Sequence, residues 1–197
     1  MAYRTPAERA QHEDQVLGSR FIAVVTPVAS VAEATALLAE QRAVHPDATH
    51  HCWAYKVDME MRFSDDGEPG GSAGRPMLEV ILKRELDRCA AVVVRYYGGR
   101  KLGVGGLARA YGGAVARALD AAGVKEVVDT VTIKVTAPFA SVDAVLRELP
   151  GAHTDFDAHG LVATLTIEAA SLAAVEQRLA TITRGEAVVQ EVSVVGS

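Results

Sequence analysis

Between Asp87 and Asp120 the chain carries no carboxylate, yet Arg88, Arg95, Arg100, Lys101, Arg109 and Arg117 all fall inside that window. Within it, Arg95, Tyr96, Tyr97, Gly98, Gly99, Arg100 and Lys101 set cations and aromatic rings beside a glycine backbone that a ligand can approach closely. The run leads into a helical pattern, whose first-turn N–H groups and dipole favour an anion. This is phosphate-recognition chemistry, and its candidate residues are Arg95, Tyr96, Tyr97, Gly98, Gly99, Arg100, Lys101, Gly103 and Arg109. The tyrosines would stack on bases if they face solvent; at the end of a buried strand they would belong to the core. A solvated helix face with glycines for packing explains the same residues without a ligand.

Three catalytic motifs fail here for physical reasons. Gly98 and Gly103 have the glycine spacing of a P-loop, but Val104 and Gly105 stand where the lysine and hydroxyl are needed. Gly103, Gly105 and Ala108 nominally match a dinucleotide fingerprint, but the preceding strand ends near Tyr97, too far for a tight strand-to-helix turn. Gly70, Ser72 and Gly74 satisfy Gly-x-Ser-x-Gly, but follow a Pro- and Gly-rich loop rather than a strand, so the motif reads as structural. Asp65, Asp66 and Glu68 have the oxygen ligands for Mg²⁺, and a solvent-facing loop explains them more simply. His50 and His51 point to opposite faces of their strand, so one is expected to be exposed and the other packed. No metal, cofactor or catalytic residue is assigned.

The elements that must position these residues follow from the 197-residue chain, 49% hydrophobic and 23% charged, which is the balance of a globular protein. Aromatic residues make up only 5%, so the core is built from Ala, Val, Leu and Ile, suited to sheets with helices packed on them. The net charge of −5 excludes polyanion binding by bulk charge, so any nucleic-acid surface is local. Cys52 and Cys89 have neither metal-site spacing nor the context of a disulfide framework. The N-terminal stretch lacks a signal-peptide core and no run of about 18 apolar residues occurs, so a cytoplasmic protein without a membrane segment is expected.

Residues 19–26 read as a strand stopped by Pro27, and Ser30 caps a helix over 31–44. Strands over 48–57 and 59–63 meet at a turn around Asp58. The segment 64–76 is a long structured loop, with four Gly and two Pro in thirteen residues. A helix over 77–86 precedes an apolar central strand at 90–97, a glycine-rich turn at 98–106 and a helix over 107–122 that ends at Gly123. Small residues Ala110, Gly112, Gly113 and Ala114 would let that helix press on the sheet. From residue 130 the order is βαββαβ, the split-βαβ ferredoxin-like pattern. A domain boundary near 128 gives domains 1–128 and 129–197, of which residues 130–197 hold 4 basic and 8 acidic side chains.

These residues carry a resemblance. Ser64-Asp65-Asp66-Gly67-Glu68-Pro69 with Gly71, Ala73, Gly74, Arg75 and Pro76, then Val92-Val93-Val94-Arg95-Tyr96-Tyr97-Gly98-Gly99, Leu102-Gly103 and Gly105-Gly106-Leu107, resemble the IMPACT/YigZ family from about Arg20 to Ala122. The resemblance implies an α+β protein. Its first domain would be similar to the second domain of a small-subunit ribosomal protein and to domain IV of elongation factor G. It would carry a left-handed βαβ crossover, against the usual handedness. Its second would be ferredoxin-like, similar to those of elongation factor G. Eukaryotic relatives regulate translation by competing for the activator of a starvation-sensing kinase through an added N-terminal domain. With about 18 residues before the first expected strand, that mechanism is not expected to transfer. The expected function is non-enzymatic: a translation-associated protein binding RNA, a ribosomal surface or a translation factor through the basic face. The alternative is an enzyme acting on a phosphorylated small molecule or nucleotide.

Overall fold

The computed structural model describes residues 2–195 as an α+β chain. In order the elements are β1 (Ala2–Pro6), β2 (Ala10–Val16), β3 (Ser19–Pro27), α1 (Val31–Val44), β4 (His50–Val57), β5 (Glu60–Ser64), α2 (Gly74–Lys83), β6 (Cys89–Tyr96), α3 (Gly103–Ala122) and β7 (Val124–Val128). They continue as β8 (Thr130–Pro138), α4 (Val142–Glu148), β9 (His153–Phe156), β10 (Gly160–Glu168), α5 (Leu172–Ile182) and β11 (Val188–Val195). The chain forms two compact units, one from Tyr3 to Glu126 and one beginning at Val127.

The first unit is built on a five-stranded sheet in the order β2-β3-β6-β4-β5, every neighbouring pair antiparallel. The apolar run of β6 lies at its centre, buried on both sides as a continuous apolar strand must be. Strand periodicity divides the residues between two layers. Phe21, Ala23, Ala91 and Val93 meet Met77, Ile81, Tyr111 and Leu119 of α2 and α3. Ile22, Val24, Val92 and Val94 face Leu37 of α1 on the other side. Arg95 has the parity of Val93 and Tyr96 that of Val94, so the two side chains part to opposite faces; Tyr96 packs on the α1 side.

The local signals hold where a side chain supplies a cap. Ser30 Oγ accepts from Glu33 N–H at 3.3 Å while Glu33 reaches back to Ala29 N–H at 2.8 Å, starting α1 where expected. Three expectations fail. The segment before residue 19 holds β1 and β2, polar edge strands that an apolar periodicity does not reveal. Gly103–Gly106 is not part of the turn but the first turn of α3. Helix α2 starts at Gly74 rather than near Met77, for a reason that lies in the candidate site.

The second unit runs βαββαβ with a sheet in the order β11-β8-β10-β9, antiparallel throughout. Ile133, Val135, Leu161 and Ala163 pack there against Val145 of α4 and Val175 and Leu179 of α5. At the turn between β9 and β10, Asp157 Oδ1 accepts from His159 N–H at 2.7 Å and Gly160 N–H at 3.0 Å.

One loop of the first unit predicts its own acid sensitivity. Burial works against a charge on Asp87, but the Lys56 ammonium and the N–H groups of Arg88 (2.7 Å) and Asp58 (2.8 Å) outweigh it and hold the carboxyl below its ordinary value. A carboxyl depressed on folding contributes stability above its unfolded value and loses it as pH falls through the folded one. Urea midpoints measured near about pH 6 and about pH 3 should therefore lie closer together in Asp87→Asn than in the wild type. An unchanged separation would show that Asp87 is equally solvated in both states.

Candidate functional site

The acidic loop between β5 and α2 is organised by its carboxylates. Asp65 accepts from the N–H groups of Gly71 (2.8 Å), Ala73 (2.9 Å) and Gly74 (2.8 Å), so it satisfies the open end of α2 from nine residues upstream. This remote cap explains why α2 begins at Gly74. A Cβ at Gly74 would stand 2.6 Å from the Ser64 carbonyl oxygen, so only glycine lets the helix start against that strand. Asp66 accepts from His51 N–H at 2.7 Å and pairs with Arg42 at 3.1 Å. The solvent-facing reading of this loop is corrected accordingly: Asp65 and Asp66 are partly buried cap and bracket, while Gly67, Pro69 and the Arg75 side chain remain outside, Arg75 pairing with Glu79.

Glu68 turns inward. Its carboxylate, 4% exposed, takes Arg95 Nη1 at 2.6 Å and the Tyr111 hydroxyl at 2.6 Å, both on Oε1. Burial, with Cys52 and Glu68 alongside, pushes the Tyr111 phenol upward, so Tyr111 remains the donor. His50 Nδ1–H donates to the Asp66 carbonyl at 2.8 Å, and its Nε2 lies 3.8 Å from Glu68 Oε1. His51 is buried on the opposite face, as the strand parity of the pair requires. The Cys52 thiol donates to the Asp65 carbonyl at 3.1 Å, and burial pushes its pKa up to about 12, far from a reactive thiolate.

Arg95 is the largest departure from the expected basic face. It is buried, its guanidinium lying 5.3 Å from both the Phe21 and Tyr97 ring centres. Nη2 donates to Ser19 Oγ at 3.2 Å, and Nε has no partner among the described residues. Arg95 is thus an internal cation answered by Glu68, not a solvent-facing one. Tyr96 is also a packing residue: its hydroxyl meets His45 Nδ1 at 3.0 Å, where burial and the nearby Arg20 lower the His45 pKa. Tyr97, by contrast, is 46% exposed and its N–H donates to Thr49 Oγ1 at 3.0 Å.

The acid-free window of the sequence is half answered by carboxylates from elsewhere. Arg88 pairs with Asp58, Arg95 with Glu68 and Arg117 with Asp14. Arg100, Lys101 and Arg109 are exposed and make no ion pair among the described residues. Gly98 packs under this loop, its N–H on Ser19 Oγ at 3.1 Å, and Gly99 and Gly103 take the left-handed backbone that glycine favours. The loop, the β5–α2 loop, β4, β6 and the start of α3 line an open cavity of about 460 Å³ bordered by His50, Glu68, Arg95, Tyr97, Lys101 and Leu107, among others. Arg109 lines a separate cleft with Leu17, Leu102 and Arg117, its guanidinium about 4.0 Å from where a Gly105 Cβ would be.

Ser72 is wholly buried, its Oγ without a partner, and nothing outside can reach it. Among the described residues no group of three His, Cys, Asp or Glu is placed to hold a metal ion, and no helix is long and apolar enough to cross a membrane. Gly112 faces Pro76 and Val80 of α2 at 3.6 Å, so that small residue serves helix-helix contact rather than the sheet. Sequence reasoning missed Tyr111 and the inward turn of Glu68; strand parity at Arg95, which places a cation in an apolar layer, was the available signal.

The Impact N-terminal domain family matches residues 17–119, which contain all of these site residues. An IMPACT family member from Thermus thermophilus, described as lying in the pol 5′ region, is 47% identical over 137 residues, 70% of this chain and 75% of that protein. YigZ of Escherichia coli strain K12 is 44% identical over 119 residues, 58% of each chain. A crystal structure of a hypothetical protein is similar over 98% of both chains, with a TM-score of 0.68 and 31% identity.

Proposed function

This chain belongs to the IMPACT family, and on that premise we propose that it is a translation-associated protein that binds single-stranded RNA through the exposed loop at the start of α3. The observation that carries the reading is electrostatic. Of the six cations between Asp87 and Asp120, those left without a carboxylate among the described residues are Arg100, Lys101 and Arg109, and Lys101 lines the same cavity as the exposed Tyr97 ring. Unpaired cations bind phosphates, and an aromatic ring beside them stacks on an unpaired base. Translation as the setting comes from the family resemblance, as do two finer points of fold. The β3-α1-β4 connection around β6 is read as the left-handed crossover of elongation factor G domain IV. The βαββαβ unit is read as ferredoxin-like, which its strand order supports.

Replacing Arg100 and Lys101 together with Ala should weaken binding to single-stranded RNA of any sequence and lower the salt slope by up to about 1.4, at roughly 0.7 per single-strand contact. Fluorescence anisotropy across a salt series measures both. Absence of wild-type binding at low salt would overturn the reading. A second reading, an enzyme acting on a phosphorylated small molecule, is favoured by the buried Glu68 carboxylate with His50 3.8 Å away in the lining of the cavity. It predicts instead that a sugar phosphate or nucleotide raises the wild-type melting temperature.

A further inference from the structure

We propose that the cavity beside α3 takes one nucleotide unit, and that Glu68 with His50 selects a base carrying an exocyclic amino group. The inference rests on the RNA-binding reading above and names what that face would read. At about 460 Å³ the cavity is in the size range of small-ligand sites. Its lining sets the Tyr97 ring beside the apolar side chains of Leu102, Val104 and Leu107, a surface on which a base can stack. Lys101 lies at the same wall, next in sequence to Arg100, where a phosphate attached to the bound unit would be met.

The inner end decides the base. Both described bonds to the Glu68 carboxylate go to Oε1, leaving Oε2 without a partner among the described residues. His50 Nδ1–H is committed to the Asp66 carbonyl, so Nε2, 3.8 Å from Glu68 Oε1, is the ring nitrogen left for a ligand. The carboxylate oxygen Oε2 is thus the acceptor left for a ligand in the cavity lining. An amino group on cytosine or adenine donates to that oxygen, whereas the carbonyl oxygen at the same place on uracil or hypoxanthine sets lone pairs against a carboxylate. The wall also holds a buried Arg95 Nε without an acceptor, the kind of unsatisfied polar group that collects at functional sites.

The chemistry has two sources, a free nucleotide and one residue of an RNA strand, and ring-matched pairs separate base selection from stacking. The full chain is titrated by calorimetry with CMP against UMP and AMP against IMP, and by anisotropy with oligo-C against oligo-U. The expected result is at least about tenfold preference for the amino-bearing base in one format or both. Preference among free nucleotides assigns the site to the nucleotide pool; preference in oligomers alone assigns it to RNA. Val104→Trp, at a half-exposed wall position, fills part of the cavity and should reduce the ratio between the members of each ring-matched pair towards one. Glu68→Gln, retained only if its circular dichroism matches the wild type, should erase the preference as well. Equal binding within each pair overturns the base-selecting cavity but leaves the RNA face standing. No binding of any oligomer or nucleotide at low salt overturns both.

Discussion

Glu68→Ala should lower the unfolding free energy by about 3–5 kcal/mol, the loss expected when one partner of a buried ion pair is removed. The substitution leaves Arg95, whose side chain is 5% exposed, without a carboxylate at Nη1, and takes the acceptor from the buried Tyr111 hydroxyl. Arg95 already carries an unpaired Nε, so the substitution adds a second unanswered nitrogen to the same guanidinium. The cost belongs to the uncompensated charge more than to the bond. The double substitution Glu68→Ala with Arg95→Met should therefore be less destabilising than Glu68→Ala alone, since it removes the buried cation. Urea unfolding with an unchanged m value measures both. A loss under about 1 kcal/mol for the single variant would place the pair among solvated ion pairs and overturn the buried geometry.

That pair also marks where the sequence stops being legible. Continuous apolar runs and side-chain caps are local signals, and they located β6, α1 and the βαββαβ order of the second unit to within a residue or two at most ends. The partners of charged residues are not local. Arg95 and Glu68 lie 27 positions apart and Arg117 and Asp14 lie 103 apart, so a window free of carboxylates in the sequence is answered in space by other strands. Helix α2 is mis-started for the same reason: its cap, Asp65, is nine residues from Gly74. The edge strand β2 escaped because its exposed face carries no apolar alternation to read. The motif residues around Glu68 and Arg95 were legible as a family pattern; that they are an internal ion pair at the end of a cavity required the sheet register.

Gly98→Ala should be the most damaging change in the exposed loop, although the glycine itself is solvent-accessible. A Cβ built there would lie 1.9 Å from the Gly18 carbonyl carbon and oxygen and 2.4 Å from Ser19 N, all of them backbone atoms that cannot rotate away. Gly18 sits in the tight turn between β2 and β3 with φ +85°, so neither side of the contact has slack. Forcing them apart costs at least the upper part of the about 1–3 kcal/mol typical of overpacking. It also breaks the shared anchor, because Ser19 Oγ accepts from both Gly98 N–H and Arg95 Nη2. Loop 97–103 would then lose its register on β3, and RNA binding should fall together with stability. Gly99→Ala is the control: its Cβ meets nothing within 4 Å, so only the strain of φ +84° is added, and a smaller loss of stability is expected. Thermal unfolding and oligonucleotide anisotropy on the two variants check the ordering. Equal stability of Gly98→Ala and the wild type would mean that the β2-β3 turn and the loop are not in contact in solution, and that Arg100 and Lys101 are presented by a free segment.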